Sequence, residues 1–160
     1  SSLIKRQNEA LGIIEHFNMD INNLTVIGTS MGGYIATSLA KVFDIKNLIL
    51  FCPAAYDIKA WNVPFDERFT SILRRDLSLL KSNIKELLAD FHGKSILFLA
   101  EKDEIIQPII VEMYQSVLNK ESNFTHIISD CPHPIHRWVA EKENEKDRIK
   151  EEIRKFMSFA

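Results

Sequence analysis

The 160-residue chain has only two cysteines, Cys52 and Cys131, too few for a disulfide framework, so a reducing, cytoplasmic setting is the expectation. Its apolar runs fall far short of the ~20 residues a membrane helix needs. At the start there is no basic region followed by an apolar run, so no signal-peptide pattern is visible; the chain opens on a stretch that already reads as a helix. Neither sign of charge dominates. A formal net charge of -2 and a pI near 6.2 give no electrostatic reason to expect nucleic acid or an anionic membrane as partner. Internal repeats and low-complexity tracts are lacking too. What remains is ordinary for one globular domain spanning residues 1–160: 46 % apolar, 26 % charged, and long enough for a real core.

Leu3, Ala10, Leu11, Ile14 and Phe17 recur at helical spacing. Four short apolar runs, at 24–28, 47–51, 94–100 and 124–129, read as buried strands. Helical patterns follow three of them: 31–43 after the first, 108–118 after the third, where Pro108 suits a first helical position, and a last helix after the fourth. In that last helix Ile149, Ile153, Phe156, Met157 and Ala160 form the inner face, and the charge run 141–155 forms the solvated one. Strands alternating with helices predict an α/β fold, a parallel sheet with helices on both faces. The 52–93 stretch departs from this rhythm. It is irregular with two prolines, and then Leu73, Leu77, Leu80, Ile84, Leu87, Leu88 and Phe91 predict one amphipathic helix or a pair. "DCPHPIH" (130–136), interrupted by two prolines, predicts a loop.

The chemistry concentrates at Gly28-Thr29-Ser30-Met31-Gly32, between a strand-like run and a helix-like run. In an open parallel sheet, ligands bind beyond the carboxyl ends of the strands. A sharp turn there lifts the Ser30 hydroxyl clear of the backbone, and glycine at 28 and 32 is expected to avoid side-chain clashes around it. The Met31 N–H, at the start of the helix, is placed to stabilise an oxyanion. The plainer alternative is that Ser30 is a helix N-cap. A serine nucleophile needs a base and an orienting carboxylate. Asp103 lies just past the third strand and His133 just past the fourth, giving the chain order serine, aspartate, histidine.

"VIGTSMGGYIA", "ILFLAEKDEIIQP" and "HIISDCPH" together resemble the α/β-hydrolase superfamily, over most of the chain from Leu24 to Ala160. The resemblance implies that Ser30 is the nucleophile, His133 the general base, and Asp103 the residue that orients and stabilises the imidazole. It also implies a small-molecule acyl ester or thioester substrate, no cofactor and no metal. Two departures stand out. The family's sheet has further strands before the first helix read here, one of which leads into a loop supplying a second oxyanion-hole N–H, and Ala100 stands where glycine is frequent before the acid loop. The 52–93 insert resembles the helical cap many members carry; Trp61, Phe65 and Phe69 are candidates to wall an acyl pocket or simply to pack the insert onto the core.

Rival assignments stay open at this point. His136 shares the His133 loop, but His133 lies five residues after Ile128, the expected spacing, and is favoured. Asp57 follows the second strand and is the alternative acid. Glu101 and Glu104 are expected to face solvent, and His126 to be a packed or edge residue. Cys131, His133 and His136 have metal-ligand character, but zinc sites usually take four ligands and no second cluster is evident, so no metal is expected. The two cysteines lie just past strand ends, near the pocket or merely buried. On the whole-protein level, a non-catalytic binding protein on a hydrolase scaffold, or a peptidase or acyltransferase of the same fold, are the competing functions. An open sheet edge would invite pairing with a second chain, hence a homo-oligomer.

Overall fold

The structure is a computed structural model that describes residues 1–118 and 121–158. Four strands, β1 (Thr25–Thr29), β2 (Asn47–Phe51), β3 (Lys94–Lys102) and β4 (Asn123–Pro132), form one parallel sheet in the order β1-β2-β3-β4. Each sheet neighbour is thus the next strand in the chain. The β-branched and leucine-rich runs that predicted strands form the centre: Leu48, Ile49 and Leu50 of β2, and Ile96, Leu97 and Phe98 of β3, are essentially inaccessible.

Helices cover both faces. α1 (Leu3–His16), α2 (Met31–Leu39) and α5 (Pro108–Val117) lie on one face, where the Thr37 hydroxyl of α2 donates to the Tyr114 hydroxyl and that hydroxyl donates to the Ala54 carbonyl. α7 (Glu143–Ser158) lies on the other, its Phe156 edge-on to Phe124 and its Glu152 beside His126. His126 also stacks on Phe98, so the strand histidine is a half-buried edge-strand residue. Of the inner face expected for the last helix, Ile149 and Phe156 are buried, Met157 is 44 % exposed, and Ala160 lies outside the described residues.

Several expected boundaries move, each for a local reason. α2 stops at Leu39 rather than Phe43. The 52–93 stretch contains no long amphipathic helix. It is built of a 3₁₀ turn (Ile58–Ala60), α3 (Glu67–Leu73), a second 3₁₀ turn (Leu79–Lys81) and the single turn α4 (Ile84–Leu87). α3 already ends at Leu73, and Leu77, with φ 58°, keeps the helix from resuming there; Leu77 and Leu80 face solvent while Ile84 and Leu88 are buried. The predicted 130–136 loop is shorter than expected: β4 runs on to Pro132, and α6 (Ile135–Ala140) begins two residues after His133.

Candidate functional site

Ser30 follows β1 and adopts φ 52° and ψ -118°, a conformation costly for a residue with a side chain, on the order of 1–3 kcal/mol. Backbone bonds fix it: its N–H donates to the Phe51 carbonyl (2.9 Å), and its carbonyl accepts from Gly33 (2.9 Å) and Ala54 (3.0 Å). Although it occupies the N-cap position of α2, its side chain makes no capping hydrogen bond. The hydroxyl is directed elsewhere.

The glycines divide their work differently from the expectation. A Cβ on Gly28 would lie 2.3 Å from the Gly32 carbonyl oxygen and 2.7 Å from the Gly33 Cα, so β1 and the first turn of α2 touch backbone to backbone there. A Cβ on Gly32 would meet nothing, so its predicted steric role is not found. Gly33 carries the second constraint: a Cβ there would come within 2.9 Å of Pro53. That contact lets the chain leaving β2 lie against α2.

Three side chains from three strand ends converge. The Ser30 Oγ is 3.0 Å from His133 Nε2, and His133 Nδ1 is 2.9 and 3.1 Å from the two Asp103 carboxylate oxygens. Asp103 is fixed in turn by the N–H groups of Ile105 (2.8 Å) and Ile106 (2.9 Å), which both donate to Oδ1. Burial pushes the Asp103 carboxyl upward, but the Ile106 N–H, His133, the Ile105 N–H and the Cys52 thiol all favour its charged form and together hold it below the ordinary carboxylate value. An ionised Asp103 makes Nδ1 the protonated nitrogen and leaves Nε2 as the acceptor facing Ser30.

His133 owes its position to a disruption of the β3–β4 ladder. Pairing runs regularly to Ala100↔Ile128 and resumes at Lys102↔Pro132, so β4 carries two more residues than β3 across that interval. Within the bulge Asp130 takes φ 57°. Its N–H donates to the Glu101 carboxylate (2.8 Å) and its carboxylate pairs with Lys102 (2.5 Å). Glu101 is exposed, as expected, yet it clasps the strand that carries His133 to the one that carries Asp103. The two prolines were the visible signal of irregularity here; the clasp itself had none.

The rival residues lie apart. His136 is exposed on α6. Asp57 is buried, but its carboxylate caps the Lys59 N–H (2.9 Å) at the start of a 3₁₀ turn. Met31 is the first residue of α2, so its N–H has no partner within the helix. Cys131 is buried, and desolvation first, with the charges of Asp103 and Glu145, pushes its thiol up to about 11. Cys52, just past β2, is the neighbour whose part the sequence did not show. It is buried, takes φ 41°, and its sulfur lies within 4.8 Å of an Asp103 carboxylate oxygen. Cys131 and His136 do not group with His133 as metal ligands. A cleft of about 450 Å³ borders Cys52 and Asp103 and is walled by Leu99, Ile106, Val111 and Ile127; neither Ser30 nor His133 lines it.

Among known proteins, a family model described as Uncharacterised protein family (UPF0227) matches residues 2–140. No curated protein matches the chain. Three solved structures are similar. A CIB-like hydrolase of Thermoplasma acidophilum is 16 % identical with a TM-score of 0.63, over 96 % of this chain and 59 % of its own. A structure from work on carboxylesterases of Nitrososphaera gargenis is 14 % identical with a TM-score of 0.65, over 100 % and 74 %. The meta-cleavage product hydrolase of Pseudomonas fluorescens is 13 % identical with a TM-score of 0.66, over 98 % and 72 %. The chain therefore spans little more than half the length of the first. These likenesses establish the fold, that of the α/β-hydrolases, with four strands of its parallel sheet present. No helix among the described residues is long and apolar enough to cross a membrane.

Proposed function

Since the chain belongs to the UPF0227 family and has the α/β-hydrolase fold, we propose that it is a serine hydrolase of carboxylic esters or thioesters, working through an acyl-serine intermediate. The observation that carries this reading is the continuous relay from the Ser30 hydroxyl through His133 to an ionised Asp103. Ser30 Oγ attacks the substrate carbonyl carbon while His133 Nε2 takes its proton. The imidazolium so formed is compensated by Asp103, and the Met31 N–H donates to the oxyanion. Collapse of the tetrahedral species expels the alcohol or thiol, which receives the proton from Nε2. Water repeats the sequence at the acyl carbon and returns the serine. No cofactor enters these steps.

The 52–93 segment, in this reading, is a cap. Its Trp61 stands edge-on to Tyr34, which lies one helical turn from Ser30, and the ring cluster continues from Tyr34 through Tyr56 to Phe69 and Phe65. Two free thiols suit a cytoplasmic setting. In a homo-oligomer a second chain would pair along an edge strand of the sheet.

The test is hydrolysis of short p-nitrophenyl esters by the wild type and by Ser30→Ala. Activity should vanish in the variant with its thermal unfolding unchanged; equal activity in both would overturn the assignment of Ser30. Incubation with a fluorophosphonate should add one adduct mass to the wild type and none to the variant. An unchanged wild-type mass would favour a non-catalytic binding protein.

A further inference from the structure

We propose that Cys52, Asp103 and His133 form a binding site for a thiophilic divalent cation such as Zn²⁺, whose occupancy takes the imidazole away from Ser30 and silences the hydrolase. Candidate ligand atoms of the three residues all lie within 4.8 Å of one another, and among the described residues no other group of three metal-ligating side chains is so disposed. They form a thiol, carboxylate and imidazole set of the kind zinc takes, with bond lengths of about 2.0–2.3 Å that place neighbouring ligands roughly 3–4 Å apart. The three come from the ends of three different strands, so the sheet itself brings them together.

An entry path exists. The 450 Å³ cleft is bordered by Cys52 and Asp103, and its lining includes the acidic residues Glu101 and Glu112 with no Lys or Arg. A cation is drawn along such a wall. Of the three proposed ligands it meets Cys52 and Asp103 first, since neither His133 nor Ser30 lines the cleft.

The chemistry balances without a redox partner. The Cys52 thiol releases one proton to solvent as sulfur binds the cation. Thiolate and carboxylate together cancel the two positive charges, so the buried site is neutral overall. His133 Nδ1, the nitrogen facing Asp103, becomes the third ligand, and its proton appears at Nε2. Nε2 then donates toward Ser30 Oγ, 3.0 Å away, and can no longer accept the serine proton. This silencing rests on the proposed role of His133; the binding itself does not.

The probes are therefore separate. Cd²⁺ titration should raise a thiolate-to-cadmium charge-transfer band in the wild type and in Cys131→Ser, and none in Cys52→Ala or Cys52→Ser. Zn²⁺ should bind these proteins in the same order by competition with a chromophoric chelator, weakened at least about tenfold by either Cys52 change. In ester hydrolysis, each protein measured against its own metal-free rate, Zn²⁺ should inhibit the wild type and Cys131→Ser, a chelator should restore them, and the Cys52 variants should be at least about tenfold less sensitive. A band that persists in both Cys52 variants, no band in the wild type, or undiminished zinc inhibition of Cys52→Ser would overturn the proposal. A wild type that binds Zn²⁺ through Cys52 but hydrolyses no ester without metal would leave the cation site standing and remove the hydrolase reading instead.

Discussion

The rim formed by the strand ends and the 52–93 segment are held by different forces. At the rim the backbone does the holding. Ser30, Cys52 and Asp130 all sit at positive φ, at 52°, 41° and 57°, and main-chain N–H groups fix each. Ser30 donates to Phe51, Cys52 to Phe98 (2.8 Å), and Asp130 to the Glu101 carboxylate. The 52–93 segment is instead anchored by side chains and a few tethers: the Tyr34 hydroxyl donating to Asn83 (2.6 Å), the ring contacts of Tyr34, Tyr56, Trp61 and Phe69, and N–H bonds from Ile4 to Trp61 and from Phe65 to Ser1. Strain of ~1–3 kcal/mol per residue persists only where surroundings over-determine it. The rim meets that condition, which suits the fixed distances that the proposed proton relay needs. Beyond Cys52 the segment holds one such residue, the exposed Leu77 at φ 58°, and is otherwise held more softly, which suits the adaptable wall proposed for it.

The largest break in this contrast should come from Asp103→Asn. The fold keeps the amide in place, but an amide cannot hold the Nδ1 proton as a carboxylate does, and kcat should fall by about 10⁴. Steady-state kinetics with unchanged circular dichroism would check it, and a loss of less than tenfold would remove Asp103 from the relay. A pH signature accompanies it. Burial tends to raise this carboxyl, and its hydrogen bonds more than reverse that, leaving it below its ordinary 3.8. A group depressed in the folded state stabilises it fully above the unfolded value and loses that contribution as the pH falls through the folded one. The wild type should therefore lose stability to urea as the pH drops from about 3.8 downward. The Asn variant, already less stable at neutral pH, should show a shallower drop.

Next in size is Gly28→Ala. Its methyl would be forced to 2.3 Å from a backbone oxygen in a contact with no flexible side chain to yield. Overpacking of this kind should cost about 3 kcal/mol, read as a lower urea midpoint at constant slope. Tyr34→Phe acts on the other region. It removes the bond to Asn83, an effect of about 1 kcal/mol. Faster proteolytic nicking within 52–93 and a raised KM with little change in kcat would fit a side-chain-held wall; an equal loss in kcat would mean the segment supports the relay itself.

How legible each region was follows the same division. The strands of the sheet centre were readable because burial on both faces demands β-branched and leucine-rich runs, as in Leu48–Leu50 and Ile96–Phe98. Ser30, Asp103 and His133 could be picked out because strand ends on one rim bring distant residues together. Segment 52–93 was not readable. The spacing of Leu73, Leu77, Leu80 and Ile84 fits a helix, but α3 stops at Leu73 and Leu77 then turns to φ 58°, and no local preference of leucine announces that conformation. The β4 bulge and the Cys52–Asp103 contact escaped for a related reason: they depend on cross-strand register, which a single strand's sequence does not carry.

The smallest predicted effect is also the sharpest test of where the rim's rigidity resides. The Gly-x-Ser-x-Gly pattern suggests that Gly28 and Gly32 are both sterically required, but space around a Cβ on Gly32 is open and no positive φ is found at any glycine. Alanine is favoured over glycine inside a helix by about 0.8–1.0 kcal/mol, so Gly32→Ala should be neutral or slightly stabilising. The close approach is carried by the other partner: Gly28's missing side chain admits the Gly32 carbonyl. Gly33→Ala should differ from it, because Pro53 lies 2.9 Å from the added carbon and the chain after β2 would have to shift. Three unfolding curves, for alanine at 28, 32 and 33, should therefore rank with 28 most destabilised, 33 between and 32 at or above the wild type. A destabilised Gly32→Ala would mean that the helix start must itself move to admit the methyl, and that the strain at Ser30 is held by α2 as much as by β1.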